Sequence, residues 1–197
     1  MGNVLLFAEH QHGKFPKSTL VGLAAAMRAA SLAGGKCIAA VLGQGVDALA
    51  AELAEFGADV VAVDGAPFAH YLADAHTAAL AEIVRQKGIE TVIGTATAVG
   101  KDLLPRLAAR LGAGMASDIT AIVDAKAYER SLYAGNALAT IAIEGAPRVV
   151  SVRATAFDAA ARAAPRARSR SSASPPMPPA PACSSWPSWR PSPTGRC

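Results

Sequence analysis

The chain has 197 residues and a formal net charge of +4, and this charge is distributed unevenly along it. Asp158 is the last acidic residue, and six of the 19 basic residues follow it, so residues 1–158 carry 13 basic and 15 acidic residues, a net charge of −2. The basic overall balance therefore does not predict a specific nucleic-acid-binding domain. No N-terminal signal pattern is present, and no stretch approaches the roughly 18 apolar residues that span a bilayer. We expect a cytoplasmic protein with no membrane span.

Short apolar runs alternate with longer alanine-rich segments from the N-terminus to Leu111. The predicted strands are Val4–Ala8, Lys36–Leu42, Asp59–Val63 and Thr91–Ile93, and the predicted helices are Thr19–Leu32, Val46–Phe56, Ala69–Lys87 and one that ends at Gly112. This alternation predicts a parallel sheet with helices on both faces and right-handed crossovers. Cys37 lies in the second apolar run and is predicted to be a buried free thiol, as in a reducing compartment.

The pattern changes after Gly114, where no helical period is found. Four short β-type runs follow: Asp118–Asp124, Tyr128–Tyr133, Ala137–Ile143 and Arg148–Arg153. We therefore predict antiparallel strands that complete the sheet. The expected fold class is α/β, with three αβα layers and a mostly parallel sheet finished by antiparallel strands.

The C-terminal segment, 159–197, differs in kind from the rest of the chain. It contains none of eleven residue types, including Val, Leu, Ile, Phe, Asp, Glu and Lys, and it holds nine of the 13 prolines. Such a segment cannot bury enough apolar area to offset the entropy of ordering. We predict one domain over residues 1–158. The remainder is either a native disordered Pro/Arg/Ser/Ala tail or the out-of-frame product of a GC-rich gene, and the abrupt change favours the second interpretation.

Thr91–Leu111 carries the candidate binding site, because a strand runs there into a small-residue loop and then a helix. Parallel sheets bind ligands at such junctions, where the helix start offers free N–H groups. The candidate nucleotide-binding residues are Gly94, Thr95, Thr97, Gly100 and Lys101. Neither a P-loop nor a dinucleotide-binding glycine pattern is present, so an ordinary βα turn without ligand is the competing interpretation. Pro105 predicts that regular helix begins close to Lys101 or is kinked there.

Five stretches together resemble a known family. They are Val4–His10 (VLLFAEH), Gly94–Ala108 (GTATAVGKDLLPRLA), Ser117–Ile119 (SDI), Arg130–Thr140 (RSLYAGNALAT) and Val150–Asp158 (VSVRATAFD). In this order they resemble the N-terminal domain of the alpha subunit of electron transfer flavoprotein, over about residues 3–158.

The resemblance implies a nucleotide-hydrolase-like (Rossmann-like) fold and a bacterial alpha–beta heterodimer that carries FAD. Such proteins take electrons from acyl-CoA dehydrogenases of fatty acid beta-oxidation and pass them to a membrane quinone oxidoreductase. They are electron carriers rather than enzymes, since the flavin supplies the redox chemistry. The beta subunit holds AMP in many members. FAD is bound mainly by a C-terminal domain that the resemblance does not reach, so we expect this chain alone to be defective in FAD binding.

A stand-alone adenine-nucleotide-binding module, akin to universal stress proteins, is the alternative function. Tyr133, Gly135 and Asn136 form either a hairpin turn, with Gly and Asn at positive φ, or a contact surface for the beta subunit.

Arg153 points either to a partner carboxylate or cofactor phosphate, or to solvent at an edge. His10 and His12 lack a third ligand, so no metal site is predicted, and no catalytic residue is expected.

Overall fold

The computed structural model describes residues 2–162, which form eight strands and four α-helices. In chain order these are β1 (Asn3–Phe7), α1 (Lys17–Ala33), β2 (Cys37–Gly43), α2 (Asp47–Ala54), β3 (Asp59–Asp64), α3 (Ala73–Lys87), β4 (Ile89–Thr95), α4 (Ala98–Leu111), β5 (Gly114–Ile122), β6 (Ala127–Leu132), β7 (Ala137–Ala142) and β8 (Arg148–Val152). The four predicted βα alternations are confirmed. No helix of this part of the chain has the length and apolar character needed to cross a membrane.

All eight strands belong to one sheet, in the order β3-β2-β1-β4-β8-β5-β6-β7. The first six strands of this order pair in parallel, and β6 and β7 add an antiparallel ribbon. The predicted class, a three-layer α/β fold with a mostly parallel sheet and antiparallel strands at its end, is therefore confirmed.

Strands β5 and β8 depart from the prediction, because they pair in parallel rather than antiparallel. Strand β8 lies between β4 and β5, and all five of its residues are buried. Burial on both faces is the pattern of an interior parallel strand, and it favours a nearly continuous apolar run such as the valines of β8. The chain therefore leaves the sheet edge after β7 and returns to its middle.

Two apolar layers hold the helices against the sheet. Helices α1 and α2 pack on one face, where Val4 and Leu6 of β1 meet Leu23 and Leu53. Helices α3 and α4 pack on the other face, where Leu5 and Phe7 of the same strand meet residues such as Leu107. Successive side chains of a strand point to opposite faces, so β1 supplies both layers.

Of two local predictions, one is confirmed and one is wrong in part. Helix α4 begins at Ala98, close to Lys101 as predicted, although Pro105 lies in its interior. Proline removes the hydrogen bond to the carbonyl four residues earlier; the Thr97 cap and the burial of Leu103, Leu104 and Leu107 outweigh this loss. Cys37 is a free thiol, but it is only partly buried, and burial together with Asp59 raises its pKa to about 12.

Candidate functional site at the carboxyl edge of the sheet

The carboxyl ends of β1 and β4 lie side by side, and the chain leaves them in opposite directions. Strand β1 is followed by α1 on one face, and β4 is followed by α4 on the other. This is the topological switch point of the sheet, the place where open α/β sheets bind ligands. The predicted loop residues and the segment Ala8–His10 meet here.

A carboxylate of the protein itself fills the switch point. The Thr97 hydroxyl donates a hydrogen bond to Glu9 Oε2 at 2.5 Å and accepts one from the Gly100 N–H at 3.0 Å. Glu9 is only 9% exposed. Its charge lies beside the start of α4, where the helix dipole favours an anion. A phosphate at this position would meet a carboxylate that already occupies the favourable place.

Packing explains three of the five candidate nucleotide-binding residues. Gly94 lies within β4, and a Cβ there would stand 3.0 Å from Leu104. A Cβ on Gly100 would fall 1.9 Å from the Thr95 carbonyl oxygen, so only glycine allows the helix to start this close to the strand. The Thr95 hydroxyl donates to the Ser18 carbonyl at 3.0 Å. Lys101, by contrast, is exposed at the surface of α4.

Arg153 contacts a carboxylate of its own chain. Its Nε and Nη2 atoms lie 3.1 and 2.5 Å from Asp118 Oδ2, and its Nη1 donates to the Ser131 hydroxyl. The sequence analysis expected Arg153 to face a partner carboxylate, a cofactor phosphate or solvent. It did not predict this pair with Asp118 of the same chain. The hydrogen bond from Arg153 holds the pKa of Asp118 below its usual range, and the charges of Arg153, Lys101 and Arg130 act in the same direction.

Asp118 has an unusual backbone. It lies in a bulge of β5 with φ of 57°, and its N–H donates to the Ser151 hydroxyl at 2.8 Å. A non-glycine residue in this region costs free energy, so its neighbours must hold it there. Ser151 holds the backbone and Arg153 holds the carboxylate.

The Tyr133–Asn136 segment joins β6 to β7, as expected of a hairpin turn. Tyr133, Ala134 and Gly135 have positive φ angles, whereas Asn136 has φ of −73°. The prediction of positive φ is therefore confirmed for Gly135 and wrong for Asn136. Tyr133 is 81% exposed and contributes almost nothing to the core of the described chain.

A second cleft opens beside the switch point, on the face of α3 and α4. Its lining includes Phe7, Phe68, Tyr71 and four imidazoles, His10, His12, His70 and His76, and we call it the histidine cleft. The Tyr71 hydroxyl donates to Asp102 of α4 at 2.9 Å, which ties this wall to the helix. Within residues 2–162, no group of three or more His, Cys, Asp or Glu side chains is arranged to hold a metal ion.

The fold and this edge define a Rossmann-like α/β domain whose switch point is closed by Glu9 and Thr97. A family model of the electron transfer flavoprotein domain matches residues 4–176, and the chain belongs to this family. The match continues past Asp158, so the likeness extends beyond the predicted end of the domain.

Three relatives show how much of the family protein the chain represents. It is 37% identical to electron transfer flavoprotein subunit alpha of Pseudomonas aeruginosa, over 80% of this chain and 50% of the relative. It is 36% identical to protein FixB of Clostridium saccharobutylicum, over 79% of this chain and 48% of the relative. It is 33% identical to a probable mitochondrial alpha subunit of Schizosaccharomyces pombe, over 80% and 46%. The chain spans about half the length of these relatives.

Sequence reasoning did not identify Glu9, Asp118 or His76 as site residues. Glu9 had a usable signal, since it follows an apolar strand closely and adjacent parallel strands bring their carboxyl ends together. Asp118 and His76 had none, because a bulge and a buried helix face are set by distant contacts. His76 in particular lies on α3 and reaches Phe7 of β1 only through the fold.

Proposed function

We propose that this chain acts in electron transfer as the alpha subunit of an electron transfer flavoprotein, in a heterodimer with a beta subunit. It serves as an electron carrier in the bacterial cytoplasm, between acyl-CoA dehydrogenases of fatty acid beta-oxidation and a quinone oxidoreductase. Membership of the family and the alpha-subunit names of the relatives support this proposal. Catalytic acids, bases or nucleophiles are not required for such a role, because a flavin supplies the redox chemistry when it is bound.

The exposed ribbon β6–β7 is the surface at which we propose that the beta subunit binds. Strand β7 is one of the two edge strands of the sheet, and its sequence ALATIA contains no charged residue. Leu138 on this strand is 65% exposed, and Tyr133 at the adjoining turn is more exposed still. An uncharged, apolar edge strand is a template for pairing with another chain unless something covers it. We assign the beta subunit to this edge, with Tyr133, Gly135 and Asn136 at its border.

The described residues do not fit FAD. Dinucleotides bind with their pyrophosphate at a helix start beside the switch point. In this chain the Glu9 carboxylate occupies that place and is hydrogen-bonded to Thr97. We therefore propose that this chain alone does not hold FAD, in line with the resemblance, which assigns the flavin contacts to a C-terminal domain. AMP, if present in the assembly, belongs to the beta subunit.

Co-expression with a beta subunit tests both parts of the proposal. We expect the two chains to co-purify and the purified pair to show no flavin absorbance. Leu138→Asp should abolish co-purification, because it places a charge on the edge strand. Leu32→Asp is the matched control, since Leu32 is also exposed but lies on α1.

The proposed association with a beta subunit and the proposed absence of FAD can be contradicted independently of each other. Co-purification that survives Leu138→Asp would contradict binding of the beta subunit at this edge, and stoichiometric FAD on the pair would contradict the proposed flavin defect.

The alternative function, an adenine-nucleotide module built on Gly94–Lys101, predicts a thermal shift with AMP or ATP that Lys101→Ala abolishes. The position of Glu9 weighs against it, because two anions would share the start of α4.

A further inference from the structure

The histidine cleft has no role in the function proposed above, yet it has the size and lining of a ligand site. Its volume of about 510 Å³ lies within the ~300–1,000 Å³ typical of small-molecule pockets. It opens at the carboxyl ends of β1 and β2, the edge at which parallel sheets bind their ligands. The walls are aromatic, and a few polar groups lie among them.

His76 presents an unused hydrogen-bond acceptor to this cleft. The ring is 4% exposed, and its Nδ1 lies 3.0 Å from the Leu72 carbonyl oxygen. A carbonyl oxygen only accepts, so Nδ1 carries the proton and Nε2 keeps its lone pair. Burial lowers the pKa of His76, which keeps the ring neutral near pH 7. Nε2 has no hydrogen-bond partner among residues 2–162.

His10, another residue of the cleft lining, has a similar arrangement. Its Nε2 lies 2.9 Å from the Leu42 carbonyl oxygen, so Nε2 is the protonated nitrogen. Its Nδ1 is then an acceptor, and this atom is buried without a partner in the described chain. Buried polar atoms are nearly always hydrogen-bonded in folded proteins. His10 Nδ1 is an exception that lies out of reach behind the lining, whereas His76 Nε2, which is not among the fully buried atoms, is the acceptor that a ligand with an N–H donor can reach.

The aromatic rings around His76 indicate a planar ligand. The Phe68 and Phe7 rings meet the imidazole edge-on, with centroids 5.4 and 6.3 Å away, and the Tyr71 ring is tilted at 5.1 Å. Such rings stack or make edge contacts with a flat heterocycle.

The charges of the lining weigh against a phosphate. Among the described residues that line the cleft, Glu9 is the one carboxylate, none is Lys or Arg, and the four histidines are the only side chains that can take up a positive charge. Phosphate groups are recognised by cationic side chains or by free N–H groups at a helix start. Here the helix start of α4 is already taken by the same Glu9.

We propose that the histidine cleft binds an amino-substituted nitrogen heterocycle without a phosphate, a free base or nucleoside. The amino group of the ring donates to His76 Nε2, and the ring lies against Phe68 and Tyr71. The aromatic rings supply the affinity, while the acceptor nitrogen of His76 selects for an amino group.

Three ligands of one series test this proposal by calorimetry on the full chain. Adenosine is the probe, purine riboside is the same nucleoside without its amino group, and AMP adds a phosphate. We expect adenosine to bind at millimolar concentrations and purine riboside to bind about tenfold more weakly, as for the loss of one hydrogen bond. AMP should bind more weakly than adenosine. Absence of adenosine binding, or a preference for AMP or purine riboside, would overturn the proposal.

A pair of variants locates the site. His76→Phe keeps an aromatic ring but removes the acceptor, and it should lower adenosine affinity by about tenfold. Thr77→Val is the matched control: Thr77 is the next residue on α3, is buried, and has an unpartnered hydroxyl whose loss leaves the cleft lining unchanged. It should bind adenosine as the wild type does. Equal affinity in His76→Phe and the wild type would overturn the proposal.

A measurement on the wild-type chain covers the case in which His76→Phe fails to fold. With ¹⁵N-labelled histidine, the Nε2 resonance of His76 should shift on addition of adenosine, because this nitrogen gains a hydrogen bond. The Nδ1 resonance, already bonded to Leu72, should change less. A His76 Nε2 resonance that stays in place at saturating adenosine would rule out the proposed contact.

Discussion

The two ends of the sheet are built differently. From β3 to β4 the strands are covered by α1 and α2 on one face and by α3 and α4 on the other. Beyond β5 the ribbon β6–β7 continues the sheet, and its outer strand alternates partly buried with exposed residues. Both ends finish in an unpaired edge strand, but β3 has partly buried residues between two exposed aspartates, whereas β7 leaves apolar side chains such as Leu138 exposed.

Because of this difference, we expect the covered end to determine the stability of the fold and the ribbon to determine association with other chains. The covered end buries long aliphatic side chains completely, so it supplies most of the hydrophobic free energy of folding. The ribbon buries little, and its exposed apolar residues gain free energy only when another chain covers them. Substitutions at the covered end should therefore act on folding, and those on the ribbon on association.

The largest expected effect comes from a leucine pair that contrasts the two ends. Leu107→Ala removes a fully buried side chain of α4 and should lower the free energy of unfolding by about 2–5 kcal/mol. Leu138→Ala on the ribbon should change it by less than about 0.5 kcal/mol. Urea denaturation measures both. Similar losses for the two variants would show that the ribbon is part of the folding core.

The second-largest expected effect concerns the close approach of α4 to β4 at the switch point. Gly100→Ala places a Cβ against the Thr95 carbonyl oxygen and should destabilise the chain by about 1–3 kcal/mol. Gly65→Ala is the control, because Gly65 has an extended backbone with φ of 168° and its nearest neighbour would be 3.5 Å from the new Cβ. That variant should be neutral or slightly stabilising. A neutral Gly100→Ala would mean that α4 can move away from β4.

The sequence predicted the covered end better than the ribbon end for a physical reason. In Thr91–Leu111 and the segments before it, hydrophobic period and glycine positions are local signals, and Gly34, Gly88 and Gly112 do end their helices. The placement of β8 between β4 and β5 depends instead on contacts between segments that lie far apart along the chain. A single sequence carries no direct record of such pairings.

The candidate site was predicted only in part for the same reason. The junction of β4 and α4 was found from its small residues, but its occupant was not, since Glu9 follows β1 and is distant from Thr97 in sequence. Arg153 was recognised as unusual, and its partner Asp118 was missed because positive φ at a bulge leaves no pattern in the sequence. The positions of the loops were predictable, whereas the contacts across the sheet edge were not.

The smallest expected effect concerns the Arg153–Asp118 pair, which joins the neighbouring strands β8 and β5. Arg153 follows β8 and Asp118 lies in β5, and both side chains are about one-third exposed. The pKa of Asp118 in the folded chain is held below its ordinary value of 3.8, chiefly by the hydrogen bond from Arg153. The stabilisation from this pair is therefore present above pH 3.8 and is lost as the pH falls through the folded-state pKa.

Arg153→Gln should raise the pKa of Asp118 toward 3.8, measured by ¹³C NMR titration of the carboxyl group. The cost in stability near neutral pH should be small, since partly exposed ion pairs contribute about 0–1 kcal/mol. Arg106→Gln is the control, because Arg106 pairs with Asp102 and Asp74 instead. An Asp118 pKa that is equally low in wild type and Arg153→Gln would assign the shift to the other cations, Lys101 and Arg130, and would leave β5 and β8 joined by backbone pairing and by Ser151 alone at this edge.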